Sequence, residues 1–308
     1  MSNLLNRKTL RAALFIIGLG FFLGMLVVSW EEMGYYLTRI NWPLFILSIL
    51  LGMLDFGVAG NVFDKLLRKF SIELEFPLSY KMYIYGQAAK YIPGRLWNVL
   101  FHLSYLDKPN STLILLVVNI EHLLMFMVRN LGLGLVMLLA GFSWLATLGV
   151  YVAFLIIFEL TGRSGKLLSL VLGIVRRFNL SRTTIELEKL NTIPEKPVFA
   201  YSYLLATLTF IIPNLLFLYA VFGISLETAW IYAAVFSISW VCGALTIFVP
   251  AGIGVREVIF VFLVTLSGLS VETATLTAIA VSYRFWGILQ ELACVVFTYI
   301  FTFRKTSA

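Results

Sequence analysis

Two apolar stretches of this chain are interrupted by proline and glycine with basic residues beside the interruption. The first reads Lys90-Tyr91-Ile92-Pro93-Gly94-Arg95, and the second Phe248-Val249-Pro250-Ala251-Gly252-Ile253-Gly254-Val255-Arg256-Glu257. Proline withdraws a backbone donor and glycine admits backbone angles closed to other residues, so both runs are expected to break a helix. The chemistry open to such breaks is anion capture. A helix that restarts after a break offers N–H donors and the positive end of its dipole. Lys90 and Arg95 add charge at the first break and Arg256 at the second. Arginine can grip a phosphate with a bidentate fork, and Glu257 can hold Arg256 when no ligand is present. Plainer roles stand beside these. Lys90 and Arg95 can snorkel to headgroups, and Arg256 with Glu257 can form an ion pair that stitches the broken helix.

Other charged residues also lie inside apolar runs. Glu121 and His122 share a long segment with Arg129, two turns on. Arg284 and Glu291 are seven positions apart in the last segment and so share a helical face. Asp55 and Glu159 lie in two further runs. A charge at the bilayer centre costs roughly 2.5–3.5 kcal/mol on insertion scales, so each needs a partner or a wet cavity. Taken singly, these residues are expected to neutralise one another. Taken together, Glu121, Arg284 and Glu291 are expected to set charge balance along a polar path, with proton coupling as one use.

The elements that must position these groups follow from composition. The 308 residues are 60% hydrophobic and 13% charged, whereas a soluble domain is nearer half apolar and a quarter charged. The sequence therefore predicts an all-α polytopic membrane protein. A span takes roughly 20 apolar residues. Spans are expected at about 12–30, 42–62, 111–140, 142–160, 198–221, 226–249, 251–268 and 272–303, about eight in all. Residues 79–106, broken at Pro93, add a re-entrant hairpin or a broken span. Pro93 and Pro250 lie about half a chain apart, which suggests a pseudo-repeat of two halves, about 1–160 and 198–308, within one membrane domain. Paired breaks in corresponding places of two halves point to a transport site.

Basic residues set the orientation. They cluster at the N-terminus, after the second span, in the loop 161–197 and at the C-terminus. All four clusters, and both termini, can face the cytoplasm if 79–106 enters and leaves on one side. The basic amphipathic stretch 166–178 in the central loop is expected to lie against anionic lipid, or else to dock a partner. Trp30, Trp42, Trp144 and Trp230 fall near span ends, as an aromatic belt would, and Gly20 with Gly24 offers a close-packing face. The net charge of +7 reads as topology and headgroup attraction, so no nucleic-acid partner is expected. Cys242, Cys294, His102 and His122 have no metal-ligand spacing, and no cofactor or metal is expected. No nucleophile elbow, P-loop or acidic pair marks the chain as an enzyme.

At these residues the chain resembles the lysylphosphatidylglycerol synthase transmembrane family, a flippase-like group. The likeness is carried by Lys90 with Pro93-Gly94, by Glu121, by the Pro-x-Gly-x-Gly-x-Arg-Glu run at 250–257 and by Tyr283-Arg284. It covers essentially the whole chain. Trp97, His102 and His122 depart from the pattern, standing where a glycine, a basic residue and an arginine are common. The resemblance implies movement or presentation of an anionic lipid or a polyprenyl-phosphate-linked glycan across the cytoplasmic membrane of a bacterium or archaeon. Lys90, Pro93, Gly94, Arg95, Gly252, Gly254, Arg256 and Glu257 would form the substrate site. The full synthases carry a soluble aminoacyl transferase domain after the membrane part. This chain's last residue is Ala308, and lysine transfer from tRNA is not expected of it. Two other classes stay open: a membrane-embedded lipid or glycosyl transferase, and a scaffold of a surface-polysaccharide assembly complex with membrane partners.

Overall fold

The computed structural model describes residues 19–20, 22–88, 97–106, 111–141, 143, 145–153, 173, 199–246, 249–269 and 271–306. Among them the secondary structure is helical and contains no strand. The elements are α1 (Trp30–Leu37), α2 (Trp42–Lys69), α3 (Phe76–Ala88), α4 (Trp97–Leu103), α5 (Ser111–Ala140), α6 (Phe199–Phe222) and α7 (Leu226–Leu245). After a 3-10 turn at Pro250–Gly252 come α8 (Val255–Leu266) and α9 (Thr273–Thr306).

Local chemistry fixes where the long helices begin. Asn41 caps α2 by accepting from the Leu44 N–H at 3.3 Å, with Pro43 in the first turn, where its missing donor costs nothing. Ser225 caps α7 in the same way, accepting from Thr228 N–H at 3.4 Å. Within α6, Pro213 removes one rung of the ladder, and the Asn214 amide donates to the Phe210 carbonyl at 2.6 Å beside that gap.

Five described helices are long and apolar enough to cross a bilayer: Trp42–Lys69, Ile114–Leu139, Leu205–Phe222, Leu226–Leu245 and Thr273–Phe301. The flanks they expose are apolar too, including Leu50, Leu54, Leu139, Leu292, Val296 and Ile300. Apolar residues on both the inside and the outside of a helix bundle fit a lipid solvent. The protein is an all-α, multi-pass membrane protein.

α2 is the hub, packed against α3, α5, α6 and α9. It changes character midway. Ile46, Leu47, Leu50 and Leu54 are exposed, whereas Val58, Val62, Phe63, Leu66 and Leu67 are buried. α7 packs on α5, α6 and α8, and α9 runs across α1, α2, α3 and α8. An aromatic core joins α6, α7 and α9, where the Phe236 and Tyr283 rings stack at 3.9 Å and Phe217 stacks on Trp286 at 4.9 Å.

Several expectations change here. The span expected at 251–268 is a turn followed by α8, whose 12 residues make a helix of about 18 Å. That is short of the roughly 30 Å of hydrocarbon a span must cross. Trp230 is not lipid-facing: it is 1% exposed and donates its indole N–H to the Met137 carbonyl on α5 at 3.2 Å. Trp30 and Trp42 are exposed as a belt requires, and Trp144 lies outside the described residues. A side chain at Gly20 or Gly24 would meet no atom within 4 Å among the described residues, so neither is a packing contact there.

The broken element 79–106 contains two short helices, α3 and α4, packed on each other. Gly86 makes this possible, since a Cβ there would lie 2.1 Å from His102 Nε2. His102 in turn pairs its Nδ1 with the Asn119 amide on α5 at 3.1 Å. Lys90, Pro93, Gly94 and Arg95 lie outside the described residues, as does the loop 161–197 apart from Gly173.

Candidate functional site

The second break is described from Val249 onward. α7 ends at Thr246, whose N–H and hydroxyl both donate to the Gly243 carbonyl, at 3.3 and 2.6 Å. The chain then turns through left-handed angles: φ is +51° at Ala251, +65° at Gly252 and +83° at Gly254. Glycine tolerates such angles freely and alanine does not, so Ala251 marks strain of the order of 1–2 kcal/mol. Gly252 also lies against the α7 backbone. A Cβ at 252 would come 2.8 Å from both the Cα and the carbonyl oxygen of Gly243. The break is thus pressed onto α7 through two glycines.

α8 restarts at Gly254, which offers no side chain to cap it. Two charged residues in its first turn point different ways, as neighbours along a helix must. Arg256 lies against α7, where a Cβ at Gly243 would meet its Cγ at 2.4 Å, and its guanidinium stands 5.5 Å from the Trp240 ring centroid. That is a cation–π distance. Glu257 points inward and is 2% exposed. Its partner is Arg284 on α9, with Arg284 Nη1 3.5 Å from Glu257 Oε1. The same Nη1 donates to the Ala251 carbonyl at 3.1 Å. Glu257 Oε2 and Arg284 Nη2 are buried without a hydrogen-bond partner among the described residues.

Gly252, Gly254, Arg256 and Glu257 are therefore brought together, and Arg284 joins them. The expectation that Glu257 restrains Arg256 is corrected, because Arg284 occupies that position. The expected charge network also divides. Glu121 on α5 meets Lys69 of α2, Nζ to Oε1 at 2.7 Å, rather than Arg284. Glu291 lies in the electrostatic reach of Tyr83 and Cys294.

Asp55 on α2 takes Arg129 of α5 at 2.9 Å and the Thr209 hydroxyl of α6 at 3.3 Å. Arg129 also donates to Ala206 O at 3.3 Å and lies over the Phe126 ring at 4.6 Å. Reading the sequence alone missed Gly243, Trp240 and Lys69 as site or pairing residues. Gly243 carried one usable signal, a glycine near the end of an apolar run just before a break.

No family model matches the chain, and no curated protein matches it. The likeness to the synthase transmembrane family rests on the residues quoted for it.

Proposed function

We propose that this protein translocates or presents a lipid with an anionic head, a phospholipid or a polyprenyl-phosphate-linked glycan, across the cytoplasmic membrane of a bacterium or archaeon. In this reading it is a member of the lysylphosphatidylglycerol synthase transmembrane family. The spans that remain once 251–268 is a turn and the short α8, about seven, make two pseudo-equivalent halves, both termini are cytoplasmic, and 79–106 re-enters. The packing of α3 on α4 through Gly86 and His102 supports the re-entrant form.

The observation that carries the function is the second break. A strained turn restarts a helix without a side-chain cap, with two arginines, Arg256 and Arg284, at its first turn. Broken helices at membrane depth persist where they bind or move something. Helix N-termini and arginine forks together suit phosphate.

The test is reconstitution in liposomes, with translocation and binding measured for phosphatidylglycerol and for a polyprenyl phosphate. Arg256→Lys keeps the charge but loses the planar fork. It should weaken binding on the order of 10-fold or more, the low end for losing one of two charge-assisted hydrogen bonds. If Arg256→Lys binds and moves both lipids like wild type, the break is a structural stitch and the reading fails.

A further inference from the structure

Arg284 is the deepest cation at the break, and the contact it makes there is loose. It is 8% exposed. Its Nη1 is committed to the Ala251 carbonyl at 3.1 Å, which fixes the guanidinium beside the turn that starts α8. The 3.5 Å approach to Glu257 is longer than a charge-assisted hydrogen bond, which runs at about 2.7–2.9 Å. Nη2 keeps two donors that no described residue accepts, and Glu257 Oε2 keeps its lone pairs. A buried guanidinium ordinarily fills such donors.

We propose that Arg284 is a phosphate-holding residue of the lipid site, and that Glu257 competes with the phosphate for it. The inference rests on the function proposed above and adds to it the residue at the bottom of the site and the means of release. An incoming phosphate oxygen takes Arg284 Nη2 and the N–H donors of the first turn of α8. Glu257 then loses its hold on the guanidinium. When the lipid leaves, Glu257 recovers Arg284, so the cation is never left buried without a counter-charge. The recognised chemistry is a phosphate monoester or diester, whether it arrives on a lipid or free.

A competitor and a ligand-holding residue respond in opposite directions, which makes the proposal testable. Purified protein in detergent would be titrated with short-chain phosphatidylglycerol, with inorganic phosphate and with a short-chain diacylglycerol that lacks phosphate. Arg284→Gln should weaken phosphatidylglycerol binding on the order of 30-fold. Glu257→Gln should tighten it severalfold, because the competing carboxylate is gone. The double variant Arg284→Gln/Glu257→Gln leaves a neutral pair that keeps the packing, and it should bind as poorly as Arg284→Gln. Diacylglycerol binding should not respond to any of these changes.

Weakening by Glu257→Gln, or wild-type binding by the double variant, overturns the proposal. If Arg256→Lys loses phosphatidylglycerol while the double variant keeps it, the lipid function stands and Arg284 is only a stitch. If Arg256→Lys and the double variant both keep it, the lipid-phosphate reading itself is gone. Inorganic phosphate binding with the same pattern of variants but no phosphatidylglycerol binding would assign the site to a free anion and overturn the lipid source.

Discussion

The seam between α2 and α5 and the break before α8 each hold buried charge, and they hold it differently. At the seam each carboxylate meets its cation closely, Lys69 to Glu121 at 2.7 Å and Arg129 to Asp55 at 2.9 Å. Arg129 is further clamped by Phe126 and Phe210 and by the Ala206 carbonyl. The backbone on both sides is regular helix. At the break, Glu257 and Arg284 stand 3.5 Å apart beside left-handed backbone angles at 251, 252 and 254. Buried atoms without a bond among the described residues occur at both places, Arg129 Nε at the seam and Arg284 Nη2 at the break, so the difference lies in the length of the ion pair and in the backbone. Charge held tightly on regular helices serves assembly, because each ion pair there closes at hydrogen-bond distance. Charge held loosely on strained backbone keeps capacity for something that arrives.

The largest effects separate these two roles. Lys69→Met removes the ammonium from Glu121, which is 2% exposed. It should cost about 3 kcal/mol, the upper end of what a hydrogen bond to a charged group contributes. Glu257→Gln should cost nearer 1 kcal/mol, because a 3.5 Å contact surrenders less and Ala251 still holds Arg284. Thermal loss of monodisperse protein in one detergent measures both. Equal losses would erase the distinction between seam and break.

A second comparison isolates the pressure at the break. Gly252 and Gly268 both have positive φ, +65° and +77°. A Cβ at Gly268 meets no atom within 4 Å, whereas one at Gly252 strikes the Gly243 backbone. Gly268→Ala should therefore cost only the left-handed penalty, about 1–2 kcal/mol. Gly252→Ala should add an overpacking cost of about 1–3 kcal/mol. If the two variants melt together, the break is not pressed onto α7.

The smallest expected effect is at Trp240. Trp240→Leu removes the ring face beside the Arg256 guanidinium and should cost about 0.5–1 kcal/mol. A loss as large as that of Lys69→Met would mean that Arg256 belongs with the structural charges.

The sequence disclosed some of this and hid the rest for physical reasons. Pro250, Gly252 and Gly254 announce a break because their backbone limits are local. The all-α membrane class is equally local, written in long apolar runs. The partner of Glu257 is not local. Arg284 lies on another helix, and only the packing of α8 on α9 brings the two together. Arg256 looked like the partner because it is adjacent in the chain, but adjacent residues diverge around a helix. Glu121 was visible as a buried acid, yet its cation, Lys69, sits in the last turn of α2 among residues that read as a cytoplasmic basic cluster. The length of α8 was hidden as well, because apolar residues continue through the turn and hide where the helix stops.

The length of α9 has a mechanical consequence. Its 34 residues make a rigid rod of about 51 Å, against roughly 30 Å of acyl chain. Even at a tilt of about 40°, the upper end of what such helices show, the rod spans about 39 Å along the bilayer normal. The rod therefore outreaches the hydrocarbon at one end or both. Arg284 rides on that rod while Glu257 rides on the short α8, so their contact ties a helix longer than the bilayer to one too short to cross it.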